Sequence, residues 1–513
     1  MVTALHILIA VIPTARGRFV SGTTDADSAR IQWMSRFRMV EVGGIGDLPP
    51  VELLNQLREG GVETILLYDW MPAGYHYLYA PDEPFMAWVY ANRDSLSLNP
   101  SGPFPHCSSY GWCEEYYFDM ALDTLREARI EYLSRIMDSL DYDGMFFDWG
   151  GGDFIQTDDY TFVRDTYYSR HPDYIYQQAV ADFYDSLASR SGKIIITNQG
   201  FRSAEYILPV VDFDMTESYA VSEDYFGESL YVEGLGYTAI PRTVYYPVST
   251  TYPDGTIEDQ IYYLKMLKDY YRTYSPHGFR GFIYMNYAAP RFVPSGDTLD
   301  GYPVYRMEKP KNAIYFGYAI AMLENFMVYT ETPFDHSYER DSIYFYDPGE
   351  PLDTGAYSPI SGVYVRYFDH GIVLAGEVPG TTVITLSSPY IPSGVSVYDP
   401  YRGQWLQTGE NSIDIPIEPE MDPLTGHMAP FGRLLLYDLQ TTEPENHSGD
   451  PGKIPLYRYM AGGILFLTDG TLYSPDGRRV SRVFNRKVIK HGAIKPGIYI
   501  LKSPGRSTKI LIR

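Results

Sequence analysis

Asp143-Gly144-Met145-Phe146-Phe147-Asp148-Trp149-Gly150 is the stretch on which the fold turns. Four residues free of charge sit between two acids, and a Trp-Gly-Gly-Gly run follows. A short apolar run bounded by turn residues reads as a buried strand of a parallel sheet. An acid at the carboxyl end of such a strand points to a site, because side chains there open into the cleft of an α/β barrel. The glycines after Trp149 are expected to keep the backbone open to a ligand.

Outward from this strand, residues 30 to 335 alternate β-rich runs with amphipathic helical patterns, the signature of parallel strands joined by helical crossovers. Eight strands are expected: Arg38 to Gly43, Val62 to Trp70, Glu115 to Met120, Gly144 to Trp149, Lys193 to Asn198, Val210 to Glu217, Ala239 to Tyr246 and Gly281 to Tyr287. Eight closes a (β/α)8 TIM barrel. Helices are expected after Pro49-Pro50, over Asp123 to Leu140, over Ile257 to Tyr274 and over Lys311 to Met327. Met71 to Glu114 reads as a long loop, rich in Pro, Gly, Tyr and Trp, over the site face. Residues 336 to 440 read as a β-sandwich domain, 441 to 455 as a linker and 456 to 513 as a small Ig-like β-domain.

Composition bounds the partners. The net charge of −24 disfavours nucleic acid and anionic membrane. No run of 18 apolar residues exists, so no transmembrane segment is expected. The apolar start, Leu5 to Pro13, reads as a signal-peptide remnant or a displaced start within an N-terminal segment 1 to 29. Cys107 and Cys113 are close enough to pair in an oxidising compartment, or stand as two thiols. No metal spacing and no cofactor motif is evident. The 50 tyrosines offer flat faces and hydroxyls, both useful against sugars.

The strand ends deliver a recurring set: Asp69 and Trp70, Asp119, Asp148 and Trp149, Asn198 and Gln199, Glu217 and Tyr219, and Asn286. Acids are costly to bury unpaired, so their repetition on one rim asks for a reason. Glycoside hydrolysis supplies one: two carboxyl groups flank the scissile bond, while amides, acids and aromatic rings hold the sugar. Asp148 and Glu217 are the expected catalytic pair. Asp69, Trp70, Asp119, Trp149, Asn198, Gln199, Tyr219 and Asn286 are the expected substrate-binding set. Each also has a structural reading, such as a helix cap, a salt bridge or loop packing.

With Asp119 before it, and Asn198-Gln199-Gly200 and Asp212 through Glu217 after it, the Asp143–Asp148 motif resembles glycoside hydrolase-like families related to endo-α-1,4-polygalactosaminidases and α-galactosidases. The resemblance spans about residues 30 to 440 and includes Tyr364 to Leu374 and Tyr398-Asp399-Pro400-Tyr401. It implies Asp148 as nucleophile or base and Glu217 as proton donor, acting on a carbohydrate without metal or organic cofactor. Leu472 to Val480, Lys495 to Leu501 and Lys509 to Arg513 resemble C-terminal sorting domains of exported bacterial proteins. That implies secretion, with cell-surface attachment through the last domain. Two other classes stay open: a catalytically inactive carbohydrate-binding surface protein, and a surface-layer component whose cleft the Met71 to Glu114 loop blocks.

Overall fold

The structure is a computed structural model. It describes residues 31–45, 48–75, 84–99, 115–245, 256–332, 338, 340–353, 362–421, 426 and 428–437, together with the strand Ile9–Val11 and strands between Tyr457 and Ile512. Cys107 and Cys113 lie outside these residues, as does most of the Met71 to Glu114 loop. The chain divides into two compact units, Met1–Leu436 and Tyr437–Arg513.

The first unit is built on one eight-stranded sheet. Its strands in chain order are β1 (Ile9–Val11), β2 (Met39–Gly44), β3 (Thr64–Trp70), β4 (Gly144–Asp148), β5 (Ile194–Asn198), β6 (Phe213–Glu217), β7 (Gly281–Tyr287) and β8 (Met327–Glu331). Spatial order equals chain order. Neighbouring strands in it pair in parallel. The sheet curls until β1 and β8 lie side by side. Helices fill the crossovers: α1 (Val51–Gly60), α2 (Asp123–Leu140), α3 (Tyr176–Ser191), α4 (Ile257–Tyr274) and α5 (Lys311–Met322). Each buries an apolar stripe on the sheet; α2 contributes Leu125, Ile130, Leu133, Ile136 and Met137. Thr256 and Asp259 close a reciprocal capping box at the start of α4.

Eight strands were expected, but two of the members differ. Glu115–Tyr117 pairs antiparallel with Ala73–Tyr75, outside the main sheet. The run expected as a seventh strand is Gly236–Tyr245, which pairs antiparallel with Val221–Val232. These two strands join Arg291–Leu299 and Tyr302–Glu308 in a separate four-stranded sheet inserted after β6 and β7. Such runs carry the β-branched and aromatic residues of any strand, and composition does not say which sheet they enter. The two strands that complete the main sheet are β1, in the stretch read as a leader, and β8. The helix expected to run to Met327 stops at Met322, and Asn325 turns the chain through a left-handed φ of 59°. The loop expected between β3 and α2 also holds a helix, Pro84–Ala91.

Past β8, five strands form a sheet ordered Val363–Phe368, Gly371–Gly376, Phe431–Tyr437, Ser396–Asp399 and Gln404–Gln407, and Thr382–Ser387 pairs with Ser412–Ile417. Tyr364, Phe368, Val373, Ala375, Leu434 and Leu436 belong to the same hydrophobic core as the main sheet. In the second unit, two antiparallel sheets of three and four strands account for the described backbone.

The close fit of the five-stranded sheet on α5 is testable. A Cβ at Gly432 would lie 2.3 Å from the Tyr315 carbonyl oxygen and 2.5 Å from Phe316 Cα, both backbone atoms that cannot swing aside. Gly432→Ala is expected to cost about 1–3 kcal/mol or more, read as a lowered denaturant midpoint.

Candidate active site

Strand geometry decides which side chains meet. Successive residues point to opposite faces, so on each strand one parity faces the inside of the curl and the other faces the helices. On β3, Asp69 bonds Arg129 of α2, so the odd positions face outward and Tyr68 faces inward with Leu66 and Trp70. On β4, Phe147 packs on Phe183 and Tyr184 of α3, which leaves Phe146 and Asp148 inside. On β5, Thr197 bonds Asp214 on the outer side and Asn198 turns in. On β7, Tyr284 bonds Gln260 of α4, so Tyr287 is an inner residue.

Five adjacent strands, β3 to β7, therefore build one hydrogen-bonded chain. Tyr68 Oη donates to Asp148 Oδ2 at 2.9 Å. Asn198 Nδ2 donates to Asp148 Oδ1 at 2.8 Å and to Glu217 Oε2 at 2.5 Å. Tyr287 Oη donates to Glu217 Oε1 at 2.8 Å. The Trp149 N–H adds a third bond to Asp148 at 2.8 Å. Asp148 and Glu217 share a single nitrogen, so the facing oxygens are at most about 5.3 Å apart, the two bonds laid end to end. Both carboxyls are half-buried and reachable by solvent.

The electrostatics of the two acids differ. Burial raises the Asp148 pKa, and three donors to the charged form, Asn198, Tyr68 and the Trp149 amide, oppose that rise. Burial raises Glu217 too, the Asp148 charge raises it further, and Asn198, Tyr287 and the nearby Arg202 oppose. Asp148 has three donors to its charged form and Glu217 has two, and Glu217 is raised further by its neighbour's charge. Arg202 is itself tied to Asp153 at 3.4 Å and to Tyr219 Oη at 3.4 Å.

The backbone leaves each inner residue in the same way. Trp149, Gln199 and Ser218, which follow Asp148, Asn198 and Glu217, have φ of 53°, 60° and 65°. Left-handed residues other than glycine are uncommon and gather at functional sites. Asp214 clamps the turn after β5, accepting from Thr197 Oγ1 and the Gly200 N–H at 2.7 Å and from the Phe201 N–H at 2.9 Å. Burial pushes its carboxyl up to about 7. The glycines after Trp149 serve packing rather than ligand approach. A Cβ at Gly150 would strike Thr197 Cβ at 2.6 Å, and one at Gly151 would lie 2.9 Å from the Gln199 carbonyl oxygen.

The expected binding residues divide. Trp70 and Trp149 lie beside Asp148 as a stacked pair, centroids 6.5 Å apart, and Trp149 is exposed. Tyr219 lies flat on Tyr263, 4.2 Å away, at the rim with Arg202. Gln199 stands at the turn beside Asn198, half-buried. Asp69 is instead directed at the helix layer, where Arg129 bonds it at 2.8 Å and also holds the carbonyls of Trp70 and Met71. Asn286 is buried on the outer face, accepting from the Val221 N–H at 3.2 Å and packed against Gly317 of α5. Asp119 is fully buried outside the main sheet in ion pairs with Arg170 and His171. Tyr68 and Tyr287 were missed, each one residue from a residue chosen instead. No group of three or more potential metal ligands occurs among the described residues.

No family profile matches the sequence, and no curated protein matches it. Solved structures do resemble the chain. The glycoside hydrolase domain of PelA from Pseudomonas aeruginosa aligns over 64% of this chain and 94% of its own, at 14% identity and a TM-score of 0.35. An α-amylase from Anoxybacillus aligns over 85% and 99%, at 9% identity and 0.45. A β-L-arabinopyranosidase from Geobacillus stearothermophilus aligns over 87% and 98%, at 9% identity and 0.44.

The outward direction of Asp69 carries a prediction. Arg129→Met removes the cation from a buried carboxylate and is expected to cost about 3–5 kcal/mol in chemical denaturation. Adding Asp69→Leu to it should recover most of that loss, which a sugar-binding Asp69 has no reason to do.

Proposed function

We propose that the first unit is a glycoside hydrolase in which Asp148 and Glu217 carry the chemistry. The observation that supports this most is the Asn198 bridge. It holds two half-buried carboxyls on flanking strands, one on each side of a single amide nitrogen. Proton transfer to a leaving oxygen and stabilisation of a cationic sugar ring need that pair.

The nearest-oxygen span of at most about 5.3 Å sits with the about 5–5.5 Å of retaining pairs rather than the about 6.5–9.5 Å of inverting ones. In the retaining course Asp148 Oδ bonds the anomeric carbon as the glycosidic C–O bond breaks, and Glu217 gives its proton to the departing oxygen. Glu217, now a carboxylate, then takes a proton from water. The resulting hydroxide displaces Asp148 and frees the sugar. Tyr68 and Tyr287 steady the two carboxyls, and the Trp70–Trp149 pair offers an apolar face beside the bond to be cut. Neither metal nor organic cofactor enters this course.

In the same proposal the curled sheet is a (β/α)8 barrel, residues 336 to 440 are an accessory β-sandwich, 441 to 455 a linker and 456 to 513 a sorting-type domain that directs the protein to the exterior or the cell surface. The sequence resemblance of the last segment supports that location.

A polysaccharide panel with reducing-end detection tests the reading. Against the substrate found, Asp148→Asn and Glu217→Gln are each expected to lower kcat by about 10²–10⁴-fold with binding retained. Undiminished turnover in both variants would remove the assignment. The activity requires Asp148 charged and Glu217 protonated, so its pH profile is expected to be bell-shaped, with the alkaline limb lost in any residual activity of Glu217→Gln.

A further inference from the structure

One acid of the inner face has no part in this course. Glu41 lies on β2 opposite Leu66 of β3, two residues below Tyr68 on the same inward parity. It is fully buried, and neither carboxyl oxygen has a hydrogen-bond partner among the described residues. A buried carboxylate with no donor or cation beside it costs several kcal/mol, so the group is expected to take up a proton instead. Three titratable groups act on it or feel it. Burial raises the Glu41 pKa, and Asp148 on β4 raises it further. Burial also raises Tyr68 on β3 and Tyr142, just before β4, and Glu41 adds to both. Among the described residues no cation opposes the rise at Glu41.

We propose that Glu41 is a third carboxyl of the site, a positioning residue that holds a proton in the buried layer beneath Tyr68, so that the negative charge of the site rests on Asp148. This deepens the reading above, because an attacking Asp148 must be ionised. An anion at Glu41 would oppose that ionisation. A neutral acid in the same place fills the layer and leaves Tyr68 free to donate to Asp148.

Stability measured against pH tests this without any substrate. A buried acid protonated in the folded chain but ionised in the unfolded one lowers stability as pH rises from the unfolded value of about 4.3 toward the folded one. Below both values the effect vanishes. Glu41→Gln removes the titration and keeps the shape. The Tm of Glu41→Gln minus that of the natural chain is therefore expected to widen by several °C as the pH goes from about 4 to about 8. Glu41→Leu, which also removes the polar atoms, should widen in the same direction and serves where the amide folds poorly. In an Asp148→Asn background the widening should shrink, because the charge that helps hold the proton is gone. A gap that stays constant with pH would show that Glu41 keeps no proton, and would overturn the proposal. Widening that is equal with and without the Asp148 charge would overturn the link between the two acids. Failure of every glycan in the panel would instead count against the glycosidase reading and leave the stability cycle to decide Glu41 by itself.

Discussion

The site depends on one amide. Asn198 has two hydrogens on one nitrogen and gives one to each of two carboxyl groups on flanking strands. Turned the other way, the amide would face both acids with its oxygen and push one of them out. The bridge therefore fixes rotamer, spacing and total charge together. It needs β5 to lie between β4 and β6, as the parallel order provides. It also needs the turn after Asn198 to be rigid, which Asp214 provides through three accepted bonds. Asp214 touches no expected substrate position, yet the geometry of the pair passes through it.

The acids of this region fall into two classes by the partner they meet. Of those directed away from the inside of the curl, Asp69 meets Arg129 and Asp119 meets Arg170, whereas Asp214 meets neutral donors at the turn it clamps. Those facing inward at the rim meet neutral donors, the hydroxyls of Tyr68 and Tyr287 and the amide of Asn198. An arginine partner would pin a carboxylate in its charged form across the working pH range. A phenol or amide holds it in place and still lets it take or give a proton. At the rim, Asp148 and Glu217 are both held by neutral donors, which leave each able to exchange a proton.

How much of this could be read from the sequence follows from the same geometry. Asp148, Asn198 and Glu217 end strands whose length and apolar character are plain, and each was identified by type and place. Tyr68 and Tyr287 were passed over for Asp69 and Asn286, their immediate neighbours. Adjacent residues on a strand face opposite ways, and a near-continuous apolar run carries no alternation to reveal the parity. The missing signal lay in the helices. Arg129 on α2 marks Asp69 as outward, and Gln260 on α4 marks Tyr284, hence Asn286, as outward. Strand membership failed for a related reason. Gly236–Tyr245 has every local feature of a strand, and only long-range pairing sends it to the inserted antiparallel sheet.

Glycine explains what remains. After Asp148 the sequence supplies three glycines, yet the left-handed turn falls on Trp149. The same holds at Gln199, although Gly200 is next to it, and at Ser218. A glycine at these positions would adopt the turn at less cost. At Gly150, Gly151 and Gly200 the contacts explain why the glycines sit one place later: each packs its Cα against Thr197, Gln199 or Asp214 at distances no Cβ allows. The loops after β4 and β5 are thus pressed together where side chains are absent. Trp149 and Gln199, the left-handed residues that follow Asp148 and Asn198, stand directly before these contacts, so a side chain at Gly150 or Gly200 would disturb the loops next to the two bonded groups.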